Sequence, residues 1–142
     1  MDGIGSPQSD RIRVLVVDDE EDFASAVAER LVKRGFLAAA AFSGKQALAL
    51  LGKSPSDVVV LDLKMPEMDG LAALPEIRKL HPHVQVIVLT GHGSVASGIQ
   101  GMRGGAADFL QKPVTIEVLC IAIEAAAERS RASRAAAQQE GD

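Results

Sequence analysis

Short apolar runs alternate with amphipathic stretches along most of the 142-residue chain. Apolar runs bounded by turn residues predict strands, whereas apolar positions three or four residues apart predict helices. Their alternation predicts β–α units arranged around a parallel sheet. The predicted strands lie near 13–17, 37–42, 57–61, 84–90 and 107–111.

Amphipathic helices are predicted between and after these strands. The first ends at Gly35, a residue suited to the left-handed turn that closes a helix. Two shorter helices are predicted near 44–51 and 70–80, and the last from about Thr115 to Arg129. The inward positions of this last helix are Ile116, Leu119, Cys120 and Ile123. Cys120 is therefore expected to be an inert core residue.

The helix predicted after the fourth strand differs from the others. Val95, Ile99 and Met102 form its apolar stripe, but Gly98 and Gly101 lie inside it. Each glycine costs about 1 kcal/mol relative to alanine within a helix. This segment is predicted to be the least stable helix of the fold.

The length and pattern predict one domain, covering residues 11–129. Residues 1–10 have no apolar pattern and are predicted to be disordered. Residues 130–142 are rich in Ala, Arg, Gln and Ser without a core stripe. They are predicted to be either an extension of the last helix or a tail or linker.

Composition argues against several classes of function. The chain has no Trp or Tyr, four Phe and a net charge of -4, which disfavours a nucleic-acid surface. It has one cysteine and no Cys or His pair with zinc-ligand spacing. No apolar run approaches the roughly 20 residues of a membrane span. A cytoplasmic protein that binds neither membrane nor nucleic acid is the expectation.

Polar residues with distinct chemistry follow the predicted strands. Asp18 and Asp19 follow the first strand, Asp62 the third and Lys112 the fifth, while Thr90 ends the fourth. Because ligands bind at the carboxyl ends of the strands in an open parallel sheet, these residues are expected to converge at one edge.

Each of these residues also has a purely structural interpretation. Asp18, with Glu21 three residues later, fits a capping box at the start of a helix. Asp62 fits a turn, Thr90 a helix cap, and Lys112 a solvated strand end. For Asp62, Thr90 or Lys112 alone a structural role is the better explanation, whereas for Asp18 neither role is favoured. Their joint occurrence at the ends of separate strands favours a common site.

Three carboxylates that meet at one point need a cation. At 4 Å each pair repels by about 1 kcal/mol in water and by about 4 kcal/mol at an effective dielectric of 20. Oxygen ligands with room for water favour Mg²⁺. An aspartate between this ion and Lys112 is suited to act as a nucleophile toward a phosphoryl group, and Thr90 to bond one of its oxygens.

Four segments, in this order and spacing, carry a family resemblance: "VLVVDDE", "VVVLDLKMPEMDGL", "VIVLTGH" and "ADFLQKP". Over residues 11–129 the chain resembles the receiver domain of two-component response regulators, in the CheY-like superfamily. The resemblance implies a doubly wound, flavodoxin-like fold with five parallel strands in the order 2-1-3-4-5.

The resemblance also implies roles for the residues at the strand ends. Asp62 would be the residue that a sensor histidine kinase phosphorylates. Asp18, Asp19 and Asp62, with the backbone carbonyl of Lys64, would bind Mg²⁺. Lys112 would contact the phosphoryl group.

The implied conformational switch involves Thr90 and Phe109. Thr90 would be the switch hydroxyl, and Phe109 the aromatic residue that repacks on phosphorylation. The bond from Lys112 to Pro113 would be cis. The fourth helix, fifth strand and fifth helix would form the switching surface.

The implied partners are a sensor histidine kinase or phosphotransfer protein and an effector protein or attached output domain. A homodimer through the switching surface is a further expectation. Such a domain catalyses its own phosphorylation and dephosphorylation without turning over an external substrate. In the family that the chain resembles, the positions of Lys64 and His92 flank the path of the hydrolytic water. We predict that the lifetime of the phosphoryl group depends on both, unless both are merely solvated loop residues.

Two alternatives from other classes remain at this point. A phosphohydrolase with an aspartyl nucleophile would also use Mg²⁺, but it would place an acid where this chain has Lys64. The stretch "GHGSVA" fits a short dinucleotide-binding motif, although it lies late in the chain and leaves no room for a second nucleotide half.

Overall fold

The computed structural model describes residues 11–63, 65, 70–91 and 95–141. The segment predicted to be disordered, 1–10, lies outside the described residues. The strands are β1 (Arg13–Val17), β2 (Leu37–Ala41), β3 (Val58–Leu61), β4 (Gln85–Thr90) and β5 (Asp108–Gln111). The helices are α1 (Glu21–Lys33), α2 (Gly44–Lys53), α3 (Gly70–Leu80), α4 (Val95–Arg103) and α5 (Ile116–Gly141).

The strands form one five-stranded parallel sheet in the order β2-β1-β3-β4-β5. The predicted fold class and strand order are therefore confirmed. In register, Val14 of β1 lies beside Val58 of β3, which lies beside Gln85 of β4. This alignment brings the carboxyl ends of β1, β3 and β4 to the same edge of the sheet.

The core consists of two apolar layers, one on each face of the sheet. Since successive side chains of a strand point to opposite faces, Leu15 and Val17 belong to the layer under α2 and α3. Val14 and Val16 belong to the layer under α1 and α5. Apolar side chains on both faces explain why the central strands read as continuous apolar runs.

Helices α1 and α5 can be compared with the predictions made for them. Helix α1 stops as predicted, because Gly35 adopts a φ of 98° and its N–H bonds the carbonyl of Val32. Cys120 is buried against the sheet, and burial raises the pKa of its thiol. Helix α5 continues to Gly141, beyond its predicted end near Arg129.

The predicted apolar stripe of α4 is wrong for the residues whose side chains are described. Ile99 and Met102 are 47% and 49% exposed, whereas Gly101 is buried and Gly98 half-buried. A Cβ at Gly98 would lie 3.6 Å from the ring of Phe109, and one at Gly101 would lie 3.6 Å from Val88. The glycine face packs against the sheet because it lets the helix backbone approach closely.

None of the helices in the described part of the chain has the length and apolar character of a membrane span.

Candidate functional site

The carboxyl edge of the sheet positions the residues that the sequence singles out. Beyond β3, the N–H of Asp62 bonds the carbonyl of Val17 at 3.0 Å, so the ladder between β1 and β3 continues into the loop. Beyond β5, the N–H of Lys112 bonds the carbonyl of Thr90 at 3.0 Å. These bonds fix the backbone from which the site side chains project.

Three carboxylates meet at this edge. One oxygen from each of Asp18, Asp19 and Asp62 lies within 4.8 Å of the others. Asp18 and Asp62 are 1% and 3% exposed, and Asp19 is exposed. Two acids are thus held out of water beside a third that faces it, an arrangement that mutual repulsion disfavours unless a cation is shared.

The surroundings of Asp62 disfavour the ionised form of its carboxyl group. Burial raises the pKa of its carboxyl, and the charges of Asp18 and Asp19 act in the same direction. The hydrogen bond with Thr90 and the charge of Lys112 act against this but do not cancel it. Among the described residues, none gives a hydrogen bond to the buried Oδ1 of Asp62.

Lys112 supplies the positive charge of the site. Its Nζ donates a hydrogen bond of 2.7 Å to Oδ2 of Asp18 and one of 3.3 Å to Oε1 of Glu20. Burial alone would lower the pKa of Lys112, but the bond to Asp18 and the charges of Asp18 and Asp62 outweigh it, so the pKa is raised. Lys112 therefore stays an ammonium ion directly beside the acids.

Two neighbours of Lys112 were missed by the sequence reasoning. The ring of Phe23 lies 4.1 Å from the Lys112 Nζ, a cation–π distance, and Glu20 is the second acid on the ammonium. The acidic run "DDEED" begins with the two site aspartates and contains Glu20, so the sequence did carry a signal that could have identified Glu20. Nothing in the sequence separates Phe23 from an ordinary core residue.

The structure contradicts the structural interpretations of Asp18 and Lys112. Asp18 accepts a bond of 3.0 Å from the N–H of Glu20, but α1 has no side-chain N-cap bond, so the capping box is not formed. Thr90 is fully buried on β4, and its side chain is hydrogen-bonded with Asp62. Lys112 is 17% exposed and paired with Asp18, so it is not a solvated strand end.

Phe109 lies on β5 between the site and α4. It is half-buried, packs against the core layer under α3, and faces Gly98. The bond between Lys112 and Pro113 is cis, as predicted. Lys64 and His92 lie outside the described residues, so their roles stay predictions, as does the metal bond of the Lys64 carbonyl.

The donor set fits a hard divalent cation. The available ligands are carboxylate oxygens, one of them buried without a hydrogen-bond partner among the described residues, and the exposed side of Asp19 leaves space for water. Mg²⁺ is the biological ion that combines few protein carboxylates with retained water. Asp18, Asp19 and Asp62 are the residues that would hold it.

Comparison with known sequences identifies relatives over most of the chain. A family model described as "Response regulator receiver domain" matches residues 14–124. An NtrX-like response regulator from Rickettsia bellii is 38% identical over 125 residues, which are 87% of this chain and 26% of the relative. The transcriptional regulatory protein GlrR of Escherichia coli is 38% identical over 82% of this chain and 26% of its own length. The chain thus spans about a quarter of these relatives.

Solved structures show the same architecture. A response regulator receiver domain protein from Clostridium thermocellum aligns with a TM-score of 0.79 and 38% identity, over 84% of this chain and 97% of its own. NtrX from Brucella abortus aligns with a TM-score of 0.82 and 35% identity, over 91% of this chain and 29% of its own.

Proposed function

The chain belongs to the response regulator receiver domain family, and from this premise we propose that it accepts a phosphoryl group on Asp62 from a sensor histidine kinase or phosphotransfer protein. The observation that carries the proposal is the buried Oδ1 of Asp62, which has no hydrogen-bond partner among the described residues and lies next to two acids and an ammonium ion. An oxygen in these surroundings has lost its hydration and has gained no hydrogen bond among the described residues, so it is free to form a bond.

The residues around Asp62 have separate roles in an in-line phosphoryl transfer. An oxygen of Asp62 attacks phosphorus while the bond from phosphorus to the donor histidine breaks. The Lys112 ammonium, held at Asp18, neutralises charge on the phosphoryl oxygens, and the Thr90 hydroxyl donates to one of them. Asp18, Asp19, Asp62 and the Lys64 carbonyl would hold Mg²⁺, which would supply further positive charge to the transferred group.

The phosphorylated site acts on α4 through Thr90 and Phe109. Thr90 is bonded to Asp62 in this structure and would turn toward the phosphoryl group, leaving space beside β4. Phe109 lies against Gly98 and is only partly buried, so it is able to repack into that space. Repositioning of α4 would then present a changed surface to a partner.

The output follows from the relatives only by analogy. GlrR is named as a transcriptional regulatory protein, and this chain covers about a quarter of it. We propose that the receiver controls an effector protein or an attached output domain, with transcription as the candidate output. Homodimerisation through α4, β5 and α5, a cytoplasmic location, and the absence of nucleic-acid and membrane binding by this domain belong to the same proposal.

Phosphorylation with a small donor tests the assignment directly. The chain is incubated with acetyl phosphate and Mg²⁺, and the mass of the intact protein is measured. One added phosphoryl group is expected on the parent and on Asp108→Asn, a control that removes an exposed acid outside the site. No addition is expected on Asp62→Asn or without Mg²⁺.

Other results of the same experiment would exclude the proposal. Equal modification of Asp62→Asn would place the phosphoryl group elsewhere. In a separate assay with Mg²⁺, continuous turnover of a generic phosphate ester would favour the phosphohydrolase, since a receiver is expected to modify itself once and then lose the group slowly.

A further inference from the structure

A second buried acid lies at the opposite end of β3 from Asp62. Asp57 immediately precedes the strand and is 3% exposed. Its Oδ2 accepts a bond of 2.9 Å from the N–H of Arg13, at the start of β1. A carboxylate at this depth is costly without a cation, and the proposed phosphoryl transfer does not use it.

The cations that compensate Asp57 come from the C-terminal part of α5. Arg134 donates from Nη1 to Oδ1 of Asp57 at 2.6 Å and from Nη2 to the carbonyl of Ser56 at 2.8 Å. Arg131 places its Nη2 3.7 Å from Oδ2 of the same carboxylate. Both arginines belong to the segment that has no apolar stripe in the sequence.

One further polar contact attaches this segment to the base of the sheet. Ser133 Oγ lies at hydrogen-bond distance, 2.7 Å, from Nδ1 of His83 in the loop before β4. Ser130 is fully buried. Polar contacts therefore hold a part of α5 that has no apolar face with which to pack.

We propose that Asp57 is a docking site for the chain's own C-terminal helix, and that it fixes the direction in which α5 leaves the receiver. Arg131 and Arg134 are three residues apart and so project from one helix face. Sliding or rotating the helix by one residue would turn both guanidinium groups away and leave a buried carboxylate uncompensated. The ion pairs therefore select one register, a role for which buried charges are well suited.

The docking concerns this chain alone, but its use rests on the proposed function. An output module joined to the end of α5 would be carried at a fixed angle to the sheet, rather than on a flexible tether. The site at Asp57 and the phosphoacceptor site would then lie at the two ends of the same buried strand.

Hydrogen exchange of the full 142-residue chain tests the docking. Arg131→Gln/Arg134→Gln removes both cations while keeping good helix formers. Exchange of amides in 130–137 is expected to become about tenfold faster or more, with the amides of β1 and β3 unchanged as evidence that the fold is intact. Arg129→Gln, which removes a charge from an exposed position two residues before Arg131, is the control and is expected to match the parent.

Two results would overturn the inference. One is a parent whose 130–137 amides exchange as fast as an unstructured peptide, and the other is a double variant that exchanges like the parent. Asp57→Asn, with both arginines present, is expected to loosen the same segment; continued protection there would assign the arginines another partner.

The phosphorylation assay separates this inference from the proposed function. The double arginine variant keeps all the residues at the carboxyl edge and is expected to gain one phosphoryl group like the parent. Failure of phosphorylation in both proteins would count against the proposed function and leave the exchange result standing.

Discussion

At the scale of single residues, Asp62 is a group whose charge the fold accommodates poorly. Its raised pKa means that the ionised carboxylate destabilises the folded protein. The penalty is absent below the unfolded pKa of about 3.9 and complete above the raised folded pKa. Stability without metal should therefore fall as Asp62 ionises with rising pH, a loss that replacement of the carboxylate would avoid.

We predict that Asp62→Asn is more stable than the parent near neutral pH in the presence of a chelator. The gain should be about 1 kcal/mol, the repulsion of one carboxylate pair at this range in water. It should vanish below about pH 4, where Asp62 is protonated in the folded and unfolded states alike. Urea denaturation across this range measures it, with Glu29→Gln, an exposed position on α1, as the control. Equal stabilities of parent and variant at every pH would contradict the electrostatic account.

Ser130 lowers the stability of the folded chain for a different reason. It is fully buried, and its Oγ has no hydrogen-bond partner in the described part of the chain. We predict that Ser130→Ala raises the free energy of unfolding by about 1 kcal/mol, because it removes an unsatisfied hydroxyl and improves helix propensity. Thermal or urea denaturation tests this, with Ser25→Ala on the less buried surface of α1 as the comparison. A destabilised Ser130→Ala would show that the hydroxyl makes a necessary contact.

At the scale of elements, the glycines of α4 have two effects. They lower the intrinsic stability of the helix, and they form the face that packs against the sheet. A Cβ at Gly101 would make an ordinary contact with Val88, whereas one at Gly104, just beyond the helix, would lie 2.9 Å from Cδ2 of the buried Leu74. We predict that Gly101→Ala stabilises the protein by about 1 kcal/mol. Gly104→Ala is expected to destabilise it by about 1 kcal/mol, because a packed methyl group must move.

The two variants are compared by urea denaturation, which contrasts helix propensity with packing at neighbouring positions.

Hydrogen exchange tests the link between the stability of α4 and switching. Gly98→Ala with Gly101→Ala is expected to slow exchange in α4 and to blunt its response to phosphorylation, since the added methyl at Gly98 occupies space beside Phe109. Slow exchange of α4 already in the parent would contradict the idea of a loosely held helix.

The elements also show where sequence patterns succeed and fail. The pattern of α5 was predicted correctly because Leu119 and Ile123 are large apolar residues that have to be buried. The stripe of α4 was predicted wrongly because hydrophobicity does not register the advantage of a residue without a side chain. Ile99 and Met102 are left on the surface, where the proposed partner contact would cover them.

At the scale of the whole molecule, the acidic edge couples metal binding to folding. An ion that binds the folded chain alone stabilises it by about 2.7 kcal/mol at a concentration of one hundred times its dissociation constant. We predict that Mg²⁺ raises the melting temperature of the parent, and that Asp19→Asn loses most of this increase. Glu29→Gln, which lies away from the carboxylates, should respond like the parent. A similar increase in Asp19→Asn would mean that Mg²⁺ binds elsewhere.

The sequence alone determined the strands, the parallel sheet and the residues at its carboxyl edge, because apolar runs are local and parallel strands end on the same side. Only the tertiary structure decided which face of α4 meets the sheet and how distant charges pair. Lys112 and Asp18 are 94 positions apart, and Arg134 and Asp57 are 77 apart. Such pairs depend on how separate helices and strands pack against each other. The local spacing of apolar residues in the sequence carries no information about that packing.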